Sequence, residues 1–129
     1  MRVKVISCVP KQSYKFNEKL EWLDNALKKF KPDLFVTPQE FFGGIQQMMF
    51  ETGEPLSYRA ETVVEPILSL ARKHDSGIAF GSVIDDPLLQ QRRERIFVVD
   101  PERGVTGTFD KMMLPAYDHI SAKSEFAIS

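Results

Sequence analysis

At 129 residues, with 43% hydrophobic and 27% charged side chains, the chain is sized for one globular domain over residues 1–129, and a disordered or fibrous protein is excluded. A formal net charge of −1, from 17 basic and 18 acidic residues, gives no field to gather nucleic acid or an anionic membrane surface, and no run reaches the ~18 apolar residues of a membrane span. One cysteine cannot form an internal disulfide, no His/Cys cluster has metal-ligand spacing, and Arg2 and Lys4 interrupt any signal-peptide core, so the expectation is a cytoplasmic protein with no metal and no cofactor.

Residues 3–9, Val3-Lys4-Val5-Ile6-Ser7-Cys8-Val9, are β-branched, short and stopped by Pro10, which predicts a strand. Asn17 can cap a helix whose Leu20, Leu23, Leu27 and Phe30 share one face, with Trp22 and Ala26 adjoining, and Pro32 ends it. Residues 33–36 form a second strand; Thr37-Pro38 turns the chain out of it, with Glu40 at the exit. Residues 41–58 are expected to be a loop or lid, broken by Gly43-Gly44, Gly53 and Pro55 and anchored by Met48, Met49 and Phe50. A second amphipathic helix spans 60–74, pointing Val63 or Val64, Ile67, Leu68 and Ala71 inward.

A strand follows at 77–84, apolar on both faces, and Asp85-Asp86-Pro87 reads as a turn. The run Arg92-Arg93-Glu94-Arg95 reads as a solvated turn before strand 96–99, or as a holder of a partner's carboxylate, and Asp100-Pro101-Glu102-Arg103-Gly104 turns into strand 105–109 as a hairpin. The order of elements argues for an α/β layer in which two helices cover one face of the sheet and leave the other bare. There is no repeat and no low-complexity linker.

Two ionisable residues stand just past apolar strands, where α/β enzymes place their chemistry. Glu40 precedes Phe41 and Phe42 and could act as a general base in a partly dry pocket; the plainer alternative is a solvated loop glutamate. Lys111 sits between Phe109-Asp110 and Met112-Met113-Leu114, placed to hold a developing oxyanion or simply to snorkel to water. Cys8 reads as a small core thiol, His74 as a surface residue at a helix C-terminus, and His119 as a residue of a loop over the site. Ser7-Cys8-Val9-Pro10-Lys11 after the first strand offers no Gly-rich phosphate loop, which disfavours a nucleotide-binding domain.

The segments Pro32-Asp33-Leu34-Phe35-Val36-Thr37-Pro38-Gln39-Glu40, Gly53-Glu54-Pro55, Leu68-Ser69-Leu70-Ala71-Arg72-Lys73, Ile78-Ala79-Phe80-Gly81-Ser82 and Phe109-Asp110-Lys111-Met112-Met113-Leu114-Pro115, in that order, resemble the nitrilase (carbon-nitrogen hydrolase) superfamily over nearly the whole chain. Gln39 between Pro38 and Glu40 departs from the usual Pro-Glu pair. The resemblance implies part of an α-β-β-α sandwich, with Glu40 as general base, Lys111 at the oxyanion, and Phe41, Tyr117 and His119 toward substrate. It also implies a cysteine nucleophile on a later strand, and none stands in the 18 residues after Lys111 (129 − 111).

Leu114-Pro115-Ala116-Tyr117 is similar to the glutamine-hydrolysing members, whose further glutamate would fall at Ala122, or at Glu125 with a shift; Ser129 stands where a glycine is usual. The expectation is thus an N-terminal half, truncated before the cysteine and inactive alone, acting on a small amide or nitrile once completed by a further or partner segment. A homo-oligomer is expected by the same resemblance. The alternative is a non-catalytic structural or binding module that keeps the half-fold without the chemistry.

Overall fold

A computed structural model describes residues 2–88 and 90–112. Its elements in chain order are β1 (Val5–Ser7), α1 (Phe16–Phe30), β2 (Leu34–Val36), α2 (Ile45–Met49), α3 (Ala60–His74), β3 (Gly77–Asp86), β4 (Gln91–Asp100) and β5 (Gly104–Met112). The five strands make one mixed sheet in the order β1-β2-β3-β4-β5. β1, β2 and β3 run parallel, and β3, β4 and β5 antiparallel. This is the α/β architecture that the alternation of strands and helices predicts.

Helix α1 begins earlier than the Asn17 cap suggests. The Glu18 carboxylate accepts from the Lys15 backbone N–H at 3.0 Å, and Glu54 reaches in from the 50s loop to accept from the Phe16 N–H, also at 3.0 Å. Both place negative charge where the helix leaves its first donors unpaired. Lys19, one turn in, is buried with its ammonium 6.0 Å from the centre of the Phe41 ring. Burial lowers its amine to about 8, and the Glu54 charge opposes that shift.

The core lies on one side of the sheet. Leu23 and Leu27 of α1 and Val63, Ile67 and Ala71 of α3 pack on Phe35, Ile78, Phe80, Phe97 and Val99, with Phe80 and Phe97 stacked at 5.0 Å. These strand residues alternate along their strands and pair across them, so they share a face. The other face carries Val5, Ile96 and Phe109, exposed by 53, 37 and 65%. Among the described residues the two long helices therefore cover one face only.

The structure corrects several local expectations. The first strand keeps only three residues of the expected 3–9. The 41–58 segment holds the short helix α2, and Met48, Met49 and Phe50 are exposed; the anchors are Phe41, Phe42, Gln47 and Tyr58, all buried. Asp85-Asp86 does not turn, because the Tyr58 carbonyl accepts from the Asp85 N–H at 2.9 Å and β3 runs on to Asp86. Arg92 to Arg95 form no solvated turn but lie inside β4, where Arg95 pairs with Asp110 through Nε and Nη2 and Arg93 lies 3.6 Å from Asp86. No helix of the described residues is long and apolar enough to cross a membrane.

Candidate active site

Glu40 is positioned by a strip of chain that leaves β2 and lies along β3 without becoming regular strand. Thr37 donates its N–H to the Ala79 carbonyl at 2.9 Å, Phe42 to the Gly81 carbonyl at 3.2 Å, and Val83 back to Phe42 at 3.0 Å. Gly81 is what allows the approach, since a Cβ there would lie 1.6 Å from the Gln39 carbonyl oxygen. Two residues past Phe42, Gly44 adopts φ +88° and vacates the space that the Glu40 carboxylate fills; a Cβ would sit 1.7 Å from Glu40 Oε1. That oxygen accepts from the Ile45 N–H, at 3.3 Å, where α2 begins. Gly44, expected only to break structure, thus forms the seat of the carboxylate, while Gly43 makes room for the Leu56 carbonyl.

Lys111 is placed by the β4–β5 hairpin. Its turn is pinned by Asp100, whose Oδ2 accepts from the Glu102 and Arg103 N–H groups at 3.0 and 2.9 Å, and Gly104 takes up φ +81° where β5 starts. Beyond the turn the register slips by one residue at a bulge between Val98 and Val99, so that Val99 faces Val105 but Val98 faces Gly107. The slip sets Glu94 directly opposite Lys111 and Arg95 opposite Asp110. Directly paired residues share a face. Arg95 and Asp110 therefore lie on the helix side, and Glu94 and Lys111 on the bare side with Ile96 and Phe109.

Glu94 joins these elements, and it escaped the sequence reading. Its side chain is 8% exposed, it bonds to the side chain of Gln39, and its Oε1 has no hydrogen-bond partner. Burial and then the neighbouring Glu40 charge push its carboxyl up, against the opposing pull of Lys111 and Gln39. Glu40 and Lys111, from separate parts of the chain, thus both act on Glu94. The signal for Glu94 was present in the period-two pattern of Glu94, Ile96 and Val98, but only a register for β5 could have paired it with Lys111.

The other sequence candidates fall elsewhere. Phe41 is 2% exposed and packs against Phe42 and Trp22 at 4.7 and 6.0 Å. Cys8, one residue beyond β1, packs against the helix-side core, away from the Glu94–Lys111 face. His74 is a helix-to-helix tie, its Nε2 2.6 Å from Asp24 Oδ1, and Lys73 joins the same carboxylate at 3.1 Å. These contacts hold the Asp24 carboxyl below its usual range. Tyr117, His119, Ala122, Glu125 and Ser129 lie outside the described residues. No group of three potential metal ligands occurs among the described residues.

A raised carboxyl has a stability consequence. Below the unfolded value of 4.5, Glu94 is protonated in both states and has no effect; as pH rises past it, the unfolded chain gives up its proton first, so folding loses stability until the folded group also ionises. Glu94→Gln removes that loss while keeping the shape and the Gln39 contact. The variant is expected to melt higher at pH 7, with the gap closing below pH 4.5. Thermal melts of both proteins across pH check this, and a gap that widens in acid contradicts it.

No family profile and no curated protein matches the sequence. Solved structures do. An N-terminal amidase with a Gln-Val peptide superposes at TM-score 0.61 and 17% identity over 88% of this chain and 28% of that one. The NitN amidase from Neterenkonia sp. AN1 gives TM-score 0.58 and 16% identity over 89% of this chain and 46% of that one. A double mutant of the amidase from Nesterenkonia sp. AN1 in complex with acrylamide gives TM-score 0.55 and 19% identity over 78% and 38%. The chain thus spans between 28 and 46% of the length of these proteins. The likeness is one of fold: this α/β sheet with its helices superposes on part of each of these amidases.

Proposed function

We propose that Glu40 and Lys111 are the base and the oxyanion-holding cation of a carbon–nitrogen hydrolase site acting on an amide or nitrile, with the thiolate nucleophile supplied from outside residues 1–129. The observation that carries this reading is the convergence of Glu40, from the strip after β2, and Lys111, from β5, around Glu94 on the bare face of the sheet. The likeness in fold to amidases supports it.

In this reading Glu40 takes the proton of the incoming thiol as sulfur bonds to the carbonyl or nitrile carbon. Lys111 holds the oxygen or nitrogen on which negative charge gathers. For an amide, Glu40 returns the proton to the departing nitrogen, which leaves as ammonia or an amine. Water, deprotonated by Glu40, then cleaves the thioester to release the acid and the thiol. The chemistry requires no cofactor.

A second reading, a binding module without turnover, is favoured by one observation: Cys8, the single thiol of these 129 residues, packs on the opposite side of the sheet from Lys111. Ammonia release from glutamine, acetamide and acetonitrile separates the two. Residues 1–129 alone are expected to release none. The product of the uninterrupted reading frame around them is expected to turn over, and to lose about 10²- to 10⁴-fold with Glu40→Gln. No turnover by that product supports the module. Turnover by residues 1–129 that disappears with Cys8→Ser overturns both.

A further inference from the structure

We propose that Lys19 is the latch of a lid formed by residues 43–58: the lid shuts over the neutral amine of Lys19 and is released when that amine takes up a proton, so that the seat of Glu40 opens and closes with pH. The segment is built to move as one piece. Inside it, Gly44 N–H is held by the Leu56 carbonyl at 2.8 Å, Thr52 Oγ1 donates to the Gln47 carbonyl at 3.2 Å, and the Gln47 side-chain amide donates to the Tyr58 hydroxyl at 3.4 Å. Gly43 and Gly44 stand at one end with φ +82° and +88°, and Gly53 near the other with φ +76° and nothing within 4 Å of the place a Cβ would take. Such residues absorb the backbone rotation of a hinge. Met48, Met49 and Phe50 are exposed and lose little packing when the lid swings out.

The hold of the lid on α1 is polar. Glu54 accepts from the Phe16 N–H at 3.0 Å, and Lys19, one turn along the helix, is 6% exposed. A lysine so covered is normally paired. Among the described residues Lys19 makes no ion pair; its ammonium has the ring of Phe41 at 6.0 Å and the field of Glu54. The ionisable groups of the elements around it are Glu54 and Tyr58 on the lid, Glu40 on the strip that bears Phe41, Lys15 and Glu18 on its own helix and, farther along, Lys73 and His74 of α3, both joined to Asp24. Of these, Glu54 is the one whose charge reaches Lys19.

Burial disfavours the charged amine more than Glu54 favours it, and the closed lid holds the amine at about 8 against an ordinary 10.5. An open lid returns the amine to water and to the higher value. As pH falls from 10.5 to 8 the open form therefore takes up its proton first, and each pH unit favours opening by about tenfold. Below 8 both forms are charged and the balance stays level. The space left by Gly44 and the Ile45 N–H that Glu40 accepts from both travel with the lid, so the seat of the carboxylate is firmest in alkali.

The test is NMR on the chain itself from pH 7 to 10, reading the Lys19 Cε signal and the exchange of the Gly44 amide with water. Lys19 Cε is expected to titrate near pH 8. Base-catalysed exchange speeds up in proportion to hydroxide, and a lid that closes in the same proportion cancels it. Gly44 exchange should therefore rise from pH 7 to 8 and then stay level to pH 10, while in Lys19→Met it climbs by about 100-fold from pH 8 to 10. Glu54→Gln keeps an oxygen for the Phe16 N–H and should move both transitions to lower pH. The Ala71 amide of α3 should exchange more slowly than Gly44 throughout. Lys19 titrating at its ordinary value, or a levelling of Gly44 that survives Lys19→Met, overturns the latch. Gly44 exchanging no faster than Ala71 would mean that only unfolding of the whole chain frees the amine, and overturns the lid. Should Lys19→Met fail to fold, the unaltered protein and Glu54→Gln decide by the same two signals.

Discussion

Gly81→Ala is expected to cost about 4 kcal/mol and to detach the strip that bears Glu40. The added methyl meets backbone: the Gln39 carbonyl oxygen at 1.6 Å, its carbon at 2.5 Å and its Cα at 3.0 Å. No side-chain rotation relieves that, so residues 37–42 must lift off β3. Lifting strains a packed interface by about 1 to 3 kcal/mol and breaks the Phe42–Gly81 and Val83–Phe42 hydrogen bonds, each worth about 1 kcal/mol net. Against a total stability of about 5 to 15 kcal/mol, the thermal midpoint should fall by roughly 15 °C at about 4 °C per kcal/mol. Gly104→Ala is the control. There φ is +81° but nothing lies within 4 Å, so only the left-handed backbone is strained, by about 1 kcal/mol. Should Gly81→Ala melt no lower than Gly104→Ala, the close crossing of Gln39 over β3 is wrong.

Phe42→Ala should be of similar size, for a different reason. The side chain is fully buried and its ring meets Phe16 at 4.6 Å, Phe41 at 4.7 Å, Phe80 at 6.0 Å and Tyr58 at 6.2 Å. It thus links the start of α1, the Glu40 strip, β3 and the end of the 43–58 loop. Truncating such a ring costs about 3 to 5 kcal/mol. The loss should be local as well as global. Gly44 N–H is held by the Leu56 carbonyl and Tyr58 N–H by the Val83 carbonyl; both amides should exchange with solvent faster in Phe42→Ala, while those of Ile67 and Ala71 in α3 follow global unfolding. Phe109→Ala, 65% exposed, should stay within about 0.5 kcal/mol of the parent. Equal protection of Gly44 and Tyr58 in parent and Phe42→Ala would deny the ring its anchoring role.

The elements legible in advance were those whose signal is local. Helix α3 occupies the span its periodicity predicts, because Val63, Ile67 and Ala71 recur on one face and the helix stops where Asp75 turns left-handed. Glu40 and Lys111 stood out because each follows an apolar run of sequence, although β5 continues to Met112 and takes Lys111 into the strand where the sequence placed it just past the end. The rest depended on pairing between distant segments. A run as polar as Arg92 to Arg95 reads as a turn until Asp86 and Asp110 are known to lie across from it. Helix α2 holds five residues, two of them exposed methionines, too few for any period to emerge. Glu94 was hidden twice, inside a charged run and behind a register that no count from the turn would give.

That register has a further consequence. A hairpin paired straight from Asp100–Gly104 would put Glu94 against Asp110 and Arg93 against Lys111, setting like charge on like charge at two successive rungs. The bulged pairing replaces both clashes with attraction, and like charges directly opposite are penalised in a sheet. The charges of Glu94, Arg95, Asp110 and Lys111 therefore favour the bulged strand alignment over the straight one. Neutralising both members of a rung, as in Glu94→Gln combined with Lys111→Met, would narrow the free-energy gap between two ways of pairing the same hairpin.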